Sequence, residues 1–473
     1  MYDTARIGNT AFSVEFAAAN LGDARLNLRL QRIVDFLAEK PAASFPEAMG
    51  NDAGLEAFYR FINNDRVTPN GILSPHFGET SVRSSVARTV LALHDTTEVH
   101  YEGEQVRAGL GRVSGVKQGY FAHVALAVSA DGLREPLGLL GVSTYSRPWQ
   151  KRTGKAKEQR SKYAQAPDSE ALRWPALVDE VEQRATGRFE VIHVMDREAD
   201  AFGLLGHMAT HGHSFVIRST HDRQVVPDDG AQIQRLGETL ACVLPVVERE
   251  VHLSRRTGHW SADKLRRHPA RAARMARLQI SATKMEVVAT SFAGAQVPAT
   301  IPLHCVHVRE VDAPEGAEPI EWRLWTNLPV DTPAQILYVV DVYRARWLIE
   351  EFFKALKTGC ALEKRQQESS ESLANVLALL APVAWRLLLL RHLARHSPQS
   401  PASAVLTSTQ LEVMAALRPR WPSAPTARDA LLAVAALGGH IKNNGDPGWI
   451  VLGRGYQDLL RLELGWSLRS QKM

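Results

Sequence analysis

The sequence predicts an α/β protein with a β-rich insertion, flanked by helical segments at both ends. Three observations lead there. Apolar residues recur with helical period before about residue 70 and again after Thr332. Between residues 89 and 218, short apolar runs bounded by turn residues alternate with helical stretches. From about 222 to 320, strand-like runs dominate. A chain of 473 residues that is 45% hydrophobic has material for two to four domains. The boundaries read as 1–70, then 71–371 with the insertion at about 222–320, then 372–473.

Each element has a local reason. Gly22-Asp23 offers a helix start, and Leu21, Leu28 and Leu30 through Phe36 and Leu37 supply a buried side for the helix that follows. Arg25, Arg29 and Arg32, spaced by four and three, make a basic stripe on it. A second helix is expected around Ala53 to Ile62, ending at Asn63-Asn64. The period then changes. Thr89–Leu93 is a short apolar strand closed by His94-Asp95-Thr96-Thr97, and Tyr120–Ser129 and Leu137–Thr144 flank the turn signal Asp131-Gly132. A Lys/Arg-rich loop runs from Arg147 to Tyr163. A helix from Ser169 to about Arg184 leads to a strand, Phe189–Met195, that ends at Asp196. A helix near Asp200–Thr210 and a strand at Phe215–Arg218 complete a mixed-sheet pattern. The β-rich run holds strands at Val246–His252, Leu278–Ala282, Glu286–Thr290 and Ile301–Arg309, interrupted by a basic loop from Arg255 to Arg277. Thr332-Pro333 is a strong helix start. After the helix that it opens, others are expected at Leu373–Ala394, Leu411–Leu417, Ala427–Leu437 and Gly455–Leu464.

Composition narrows the function. A net charge of +5 and a pI of about 9.1 favour a polyanionic partner. Cys242, Cys305 and Cys360 are scattered and form no CxxC pair, so neither a disulfide framework nor a zinc ribbon is indicated, and a reducing cytoplasm fits. Asp3, Arg6 and Glu15 interrupt any early apolar run, so no signal peptide is expected. The most apolar stretch, Val376–Leu390, contains Pro382 and Arg386 and is short for a membrane span, so no membrane partner is expected. Phosphate-loop and Ser-His-Asp signatures are absent, which removes support for nucleotide hydrolysis and acyl transfer.

The chemistry concentrates in a few acids. Asp95 and Asp196 each close an apolar strand, where a carboxylate either caps a turn or binds a hard cation through oxygen. Tyr343, Arg346, Glu350 and Lys357 lie in a stretch free of Gly and Pro, and at 100° per residue they share an arc of roughly 60° on one helix face. Such a face is either a solvated surface with i,i+4 pairs or a carboxylate and two cations arranged for a phosphodiester beside a metal. His207, His211 and His213 close a helix without a fourth ligand nearby, and they read as helix-end histidines rather than a zinc site.

Three motifs in order carry a family resemblance: His-Asp-Thr-Thr at 94–97, Asp-Arg-Glu-Ala-Asp at 196–200, and Tyr-x2-Arg-x3-Glu-x6-Lys ending at Lys357. Tyr-Arg-Phe-Ile at 59–62, Phe-Val-Ile-Arg-Ser at 215–219 and Lys-Thr-Gly at 357–359 support them. The chain resembles the IS4 family of DDE transposases over nearly its whole length. That resemblance implies an RNase H-like catalytic domain at 71–371, a helical DNA-binding domain at 1–70 and a helical dimerisation domain at 372–473. It implies Asp95, Asp196 and Glu350 as the catalytic, metal-binding acids, with two Mg²⁺ ions per site and Mn²⁺ as a substitute. Arg346 and Lys357 would grip phosphates near the scissile bond, and Tyr343 would hydrogen-bond a phosphate at the transposon end. Trp322 matches an indole that stacks a flipped base, with core packing the alternative for a strand tryptophan. Trp325, on the opposite strand face, reads as core. Arg218 matches a family arginine near the active site, and Arg25 and Arg29 match positions that bind the end sequence. Leu26 departs from a family arginine, which leaves the recognised end sequence open. The two basic loops, Arg147–Lys162 and Arg255–Arg277, are either phosphate-tracking or solvated.

The resulting expectation is a cut-and-paste transposase that acts on double-stranded inverted-repeat ends and on target DNA, as a homodimer in the synaptic complex and in the bacterial cytoplasm. Cleavage would proceed through a hairpin, and the 3′-OH ends would then join to target. The alternatives are a non-catalytic, transposase-derived DNA-binding regulator and a sequence-indifferent nuclease of RNase H type.

Overall fold

A computed structural model describes residues 15–40, 43–103, 106–114, 117–149, 170–228, 230, 232–253, 255, 270–290, 298–365, 367–441 and 446–470. The chain forms two compact units. The first comprises Met1–Thr153, Leu177–Val191 and Trp347–Met473, and the second comprises Gly154–Ala176 and Ile192–Arg346.

The first unit opens with helices. Asp23 caps α1 (Ala24–Glu39) by accepting from the Arg25 N–H at 2.8 Å. Leu30, Ile33, Val34 and Leu37, at spacings of three and four, are its buried stripe. Leu28 and Phe36, expected to be buried, are 57% and 38% exposed because they fall outside that phase. Short α2 (Phe45–Met49) and α3 (Asp52–Ile62) follow, each capped by a side chain, Ser44 and Asn51. A long α4 (Pro69–Ala87) was not anticipated from the sequence. Its buried side is largely polar, with His76, Thr80, Ser81, Arg83 and Ser84, so no apolar period announces it.

Strand β1 (Thr89–Tyr101) pairs antiparallel with β3 (Gln118–Ser129), which carries short β2 (Gly111–Arg112) and β4 (Pro136–Tyr145). The apolar side of this sheet packs Val90, Ala92, Ala125, Leu137 and Leu140 against Leu177 and Val181 of α5 (Arg173–Ala185). One expectation is corrected here. β1 does not stop at Leu93 but runs eight residues further, so Asp95 lies mid-strand opposite Val124 rather than at a strand end. Thr96, Thr97, Val99 and Tyr101 are β-formers, and β3 supplies them with partners through Gln118.

The second unit is built on a mixed sheet. β5 (Glu190–Met195) runs parallel to β6 (Ser214–Arg218), with α6 (Phe202–His211) connecting them. Beyond β6 the order is β12, β11, β10, β7 and β8, and β9 also pairs with β10. These are β7 (Gln224–Pro227), β8 (Gln234–Arg235), β9 (Val247–Leu253), β10 (Arg274–Val288), β11 (Thr300–Val311) and β12 (Glu321–Thr326), with α7 (Leu236–Cys242) between β8 and β9. The β-rich stretch therefore extends the sheet that begins at β5. The two strands expected at 278–290 are one, because Thr283, Lys284 and Met285 pair with Cys305, His304 and Leu303. Arg274 and Arg277 belong to that strand and not to the basic loop, whose residues 256–269 lie outside the described residues.

Thr332 and Gln335 form a capping box with Pro333 in the first turn of α8 (Pro333–Ala345), which packs on β11, β6 and β10. The chain then re-enters the first unit with α9 (Trp347–Lys354), a π-turn (Ala355–Gly359) and α10 (Ser370–His396). The helix expected at Leu373–Ala394 forms and runs on through Pro382. By length and composition α10 could cross a membrane, yet 94% of its most apolar window is buried within the protein. It packs on α1, α4 and β4, and Asn375 donates to the carbonyls of Ile62 and Val67 at 3.0 Å each. The remaining helices are α11 (Ser408–Leu417), α12 (Ala427–Leu437) and α13 (Trp449–Ser470). α12 and α13 meet at glycine: a Cβ on Gly455 would stand 1.8 Å from the Val434 carbonyl oxygen.

Candidate active site

In the first unit, Asp95 on β1 is partly exposed, and its Oδ1 accepts from the Thr96 N–H at 2.7 Å. α9 packs against β1 and carries Glu350, also partly exposed. Its neighbour Glu351 faces different work: it pairs with Lys354 at 2.9 Å and lies 3.6 Å from the Arg391 guanidinium on α10. Lys357 donates to the Glu98 carbonyl of β1 and sits 3.4 Å from Glu363, which also pairs with His100 at 3.0 Å. The unit thus brings Asp95, Glu350 and Lys357 onto β1 and the segment packed against it.

The motif at 343–357 is not one α-helix, as expected from its lack of Gly and Pro. It breaks at Arg346, which lies between α8 and α9, and then widens into the π-turn that holds Lys357. A π-turn bonds i to i+5 and winds more slowly than an α-helix, so Lys357 leaves the phase of the common face. The break coincides with the passage between units, so Tyr343 and Arg346 belong to the second unit and Glu350 and Lys357 to the first.

In the second unit Asp196 follows β5 as expected and remains partly exposed, its Oδ1 capping the next turn through the Glu198 N–H at 2.9 Å. The last acid of the same motif, Asp200, is 3% exposed. Its carboxylate takes Arg223 Nε at 3.0 Å and Nη2 at 2.8 Å, plus the N–H groups of Thr220 and His221 at 2.7 and 3.0 Å. Sequence reasoning passed over this node, although Asp200 stands in the quoted motif; its partner Arg223 carries no local signal. Asp200 and Glu351 are thus each paired with an arginine in the fold, while Asp196 and Glu350 stay partly exposed.

Arg218, on β6, donates through Nη2 to the Glu321 carbonyl at 3.0 Å. Trp322 is partly exposed and meets Tyr343 edge-on, with ring centroids 5.3 Å apart at 66°. Tyr343 itself is only 6% exposed, and Trp325 is fully buried. Arg346 is partly exposed.

Of the end-binding candidates on α1, Arg25 is highly exposed and paired with Asp23 at 3.0 Å, while Arg29 is partly exposed. Most of the basic stretch Arg147–Lys162 lies outside the described residues. Burial pushes the thiols of Cys305 and Cys360 up to about 12, so both stay protonated near neutral pH and neither is a nucleophile. A cleft in the first unit, lined by Asn63, Thr68, Tyr145, Ser370 and Asn375, contains none of the candidate residues.

Asp95, Asp196 and Glu350 share one donor type, a partly exposed carboxylate, which suits a hard divalent cation. Matches to protein families point the same way, and one solved structure is also similar. Residues 9–67 match transposase DNA-binding domains, and residues 161–384 match the transposase DDE domain. The whole chain also aligns with 82% of a piggyBac transposase solved as a synaptic complex with hairpin DNA, at 9% identity and a TM-score of 0.36.

Proposed function

We propose that this chain, which its two matched domains make a DDE transposase, is a cut-and-paste enzyme of the IS4 family, similar in pattern to the Tn5 transposase, with an RNase H-like catalytic domain. One observation carries the assignment of its acids. Within the first unit, the helix bearing Glu350 packs on the strand bearing Asp95, and Lys357 is bonded to that strand three residues on. Asp95, Asp196 and Glu350 are the proposed ligands of two Mg²⁺ ions, or of Mn²⁺ in their place. Bound there, such ions lower the pKa of an attacking water and neutralise charge at phosphorus.

The protein's own groups do the rest. Lys357 and Arg346 supply fixed positive charge to phosphates flanking the scissile bond. Trp322 offers an aromatic surface to an unstacked base at the transposon end, with Tyr343 beneath it as support. Arg25, Arg29 and Arg218 contribute phosphate or end contacts. Water first displaces the 3′ oxygen at the transposon end. The freed 3′-OH then attacks the opposite strand to close a hairpin, and a second water opens it. The same 3′-OH finally attacks target DNA, so no covalent protein–DNA bond forms. A homodimer holding two ends, in the cytoplasm, is the working form.

The deciding experiment uses purified protein and DNA carrying the inverted-repeat end in Mg²⁺. Glu350→Gln is expected to abolish nicking while still shifting end DNA in a gel. Nicking at the wild-type rate would remove Glu350 from the site. Nicking by the wild-type protein without hairpins, on any duplex, would favour the sequence-indifferent nuclease.

A further inference from the structure

We propose that His207, His211 and His213 form a transition-metal site in the second unit, chemically distinct from the carboxylates and independent of the reading of them. Their ligand nitrogens all lie within 4.8 Å of one another. His207 and His211 are one turn apart on α6, with ring centroids 4.4 Å apart. Gly212 then adopts a left-handed conformation (φ 71°), which a residue with a Cβ rarely takes, and turns the chain back. The His213 N–H bonds the Met208 carbonyl at 3.0 Å, and the His213 ring stacks 5.6 Å from that of His211.

Several features prepare the set for a cation. His211 Nδ1 donates to the His207 carbonyl at 2.8 Å, which leaves Nε2 as the nitrogen with an available lone pair. The backbone of His213 is fixed on the other side by Asn327, which donates to its carbonyl at 2.9 Å and accepts from Phe215 at 3.1 Å. The negative end of the α6 dipole points at the cluster. Two of the imidazoles are half-buried and one is exposed, so the site has a floor and an entrance.

Three imidazoles select a borderline-soft ion, Zn²⁺ before Mg²⁺. Tetrahedral Zn–N bonds would place the nitrogens about 3.3 Å apart, so modest side-chain rotation closes the set. The ion would fasten the end of α6 to the start of β6. It would sit beyond the far end of α6 from Asp196, a helix of 10 residues or roughly 15 Å.

The test titrates Zn²⁺ into the full-length chain carrying Asp95→Asn, Asp196→Asn and Glu350→Gln, which silences the acids. Calorimetry is expected to show one Zn²⁺ per chain, unaffected by excess Mg²⁺. Adding His207→Gln and His211→Gln should weaken that binding by roughly a hundredfold or more. Because His211 is exposed, the single variant His211→Gln serves as a folded control, verified by near-UV circular dichroism, and Co²⁺ in place of Zn²⁺ should give tetrahedral visible absorption that His211→Gln removes. Equal Zn²⁺ affinity with and without the histidines, or no Zn²⁺ binding at all, would overturn the proposal.

Discussion

Replacing Glu15 by Gln removes the anion from a buried ionic node of the first unit. Arg83 (3% exposed) donates to both Glu15 oxygens at 2.6 and 3.1 Å and stacks 4.4 Å from the centre of the Trp385 ring. His76 donates from Nδ1 to Glu15 at 2.8 Å and accepts at Nε2 from the Leu139 N–H at 3.1 Å, the pattern of a neutral imidazole. Burial lowers the His76 pKa in keeping with that. Burial opposes the Glu15 charge as well, yet Arg83 and His76 prevail and hold its carboxyl down from 4.5 to about 2. At 1.36 kcal/mol per decade this is on the order of 3 kcal/mol of stability. Because the folded pKa is depressed, the contribution is complete above pH 4.5 and is lost as pH falls toward 2. At pH 3 less than half of it should remain. Urea denaturation of wild type and Glu15→Gln at pH 7 and pH 3, read by circular dichroism, should therefore show a gap of about 3 kcal/mol that shrinks by more than half. A gap under 1 kcal/mol at pH 7, or one of equal size at both pH values, would refute the reasoning.

Two further substitutions probe other parts of the fold. Gly455→Ala places a methyl 1.8 Å from the Val434 carbonyl oxygen and must part α12 from α13, so thermal unfolding should fall by several degrees, a loss of about 2 kcal/mol or more. Asp200→Ala leaves Arg223 buried at 5% exposure without its anion, and the urea midpoint should drop by an amount equivalent to about 3–5 kcal/mol.

What could be read from the chain beforehand followed local chemistry. Asp23, Asn63 and Thr332-Pro333 mark helix ends because caps are short-range, and the structure keeps each of them. Asp196 was found at the end of β5 for the same reason. The failures arise where a distant partner decides. Polar residues after Leu93 look like a strand end until β3 supplies their neighbours. α4 hides because its inward face is His76, Thr80 and Arg83, of which His76 and Arg83 find partners only once Glu15 and the β4 backbone at Leu137 and Leu139 arrive. The helix expected at Leu373–Ala394 is not such a failure: it forms across Pro382, enclosed by other helices and β4. For the acids, the motifs named the positions, but only burial separates Asp200, locked to Arg223, from Asp196. The approach of His213 to His207 and His211 depends on the fold-back at Gly212, which spacing alone does not show.

The π-turn at Ala355–Gly359 amounts to a helical turn carrying one surplus residue. Deleting a residue there would let the segment relax toward an α-helix, rotate Lys357 away from Glu98, and carry Gly359 out of the place where α13 approaches it through Gly453. A relative lacking the surplus residue would match this chain only with a one-position gap inside 355–359. Its corresponding lysine would then emerge on a different side of the helix, and a conserved spacing of Glu350 to Lys357 is the form in which natural selection on this geometry would be visible.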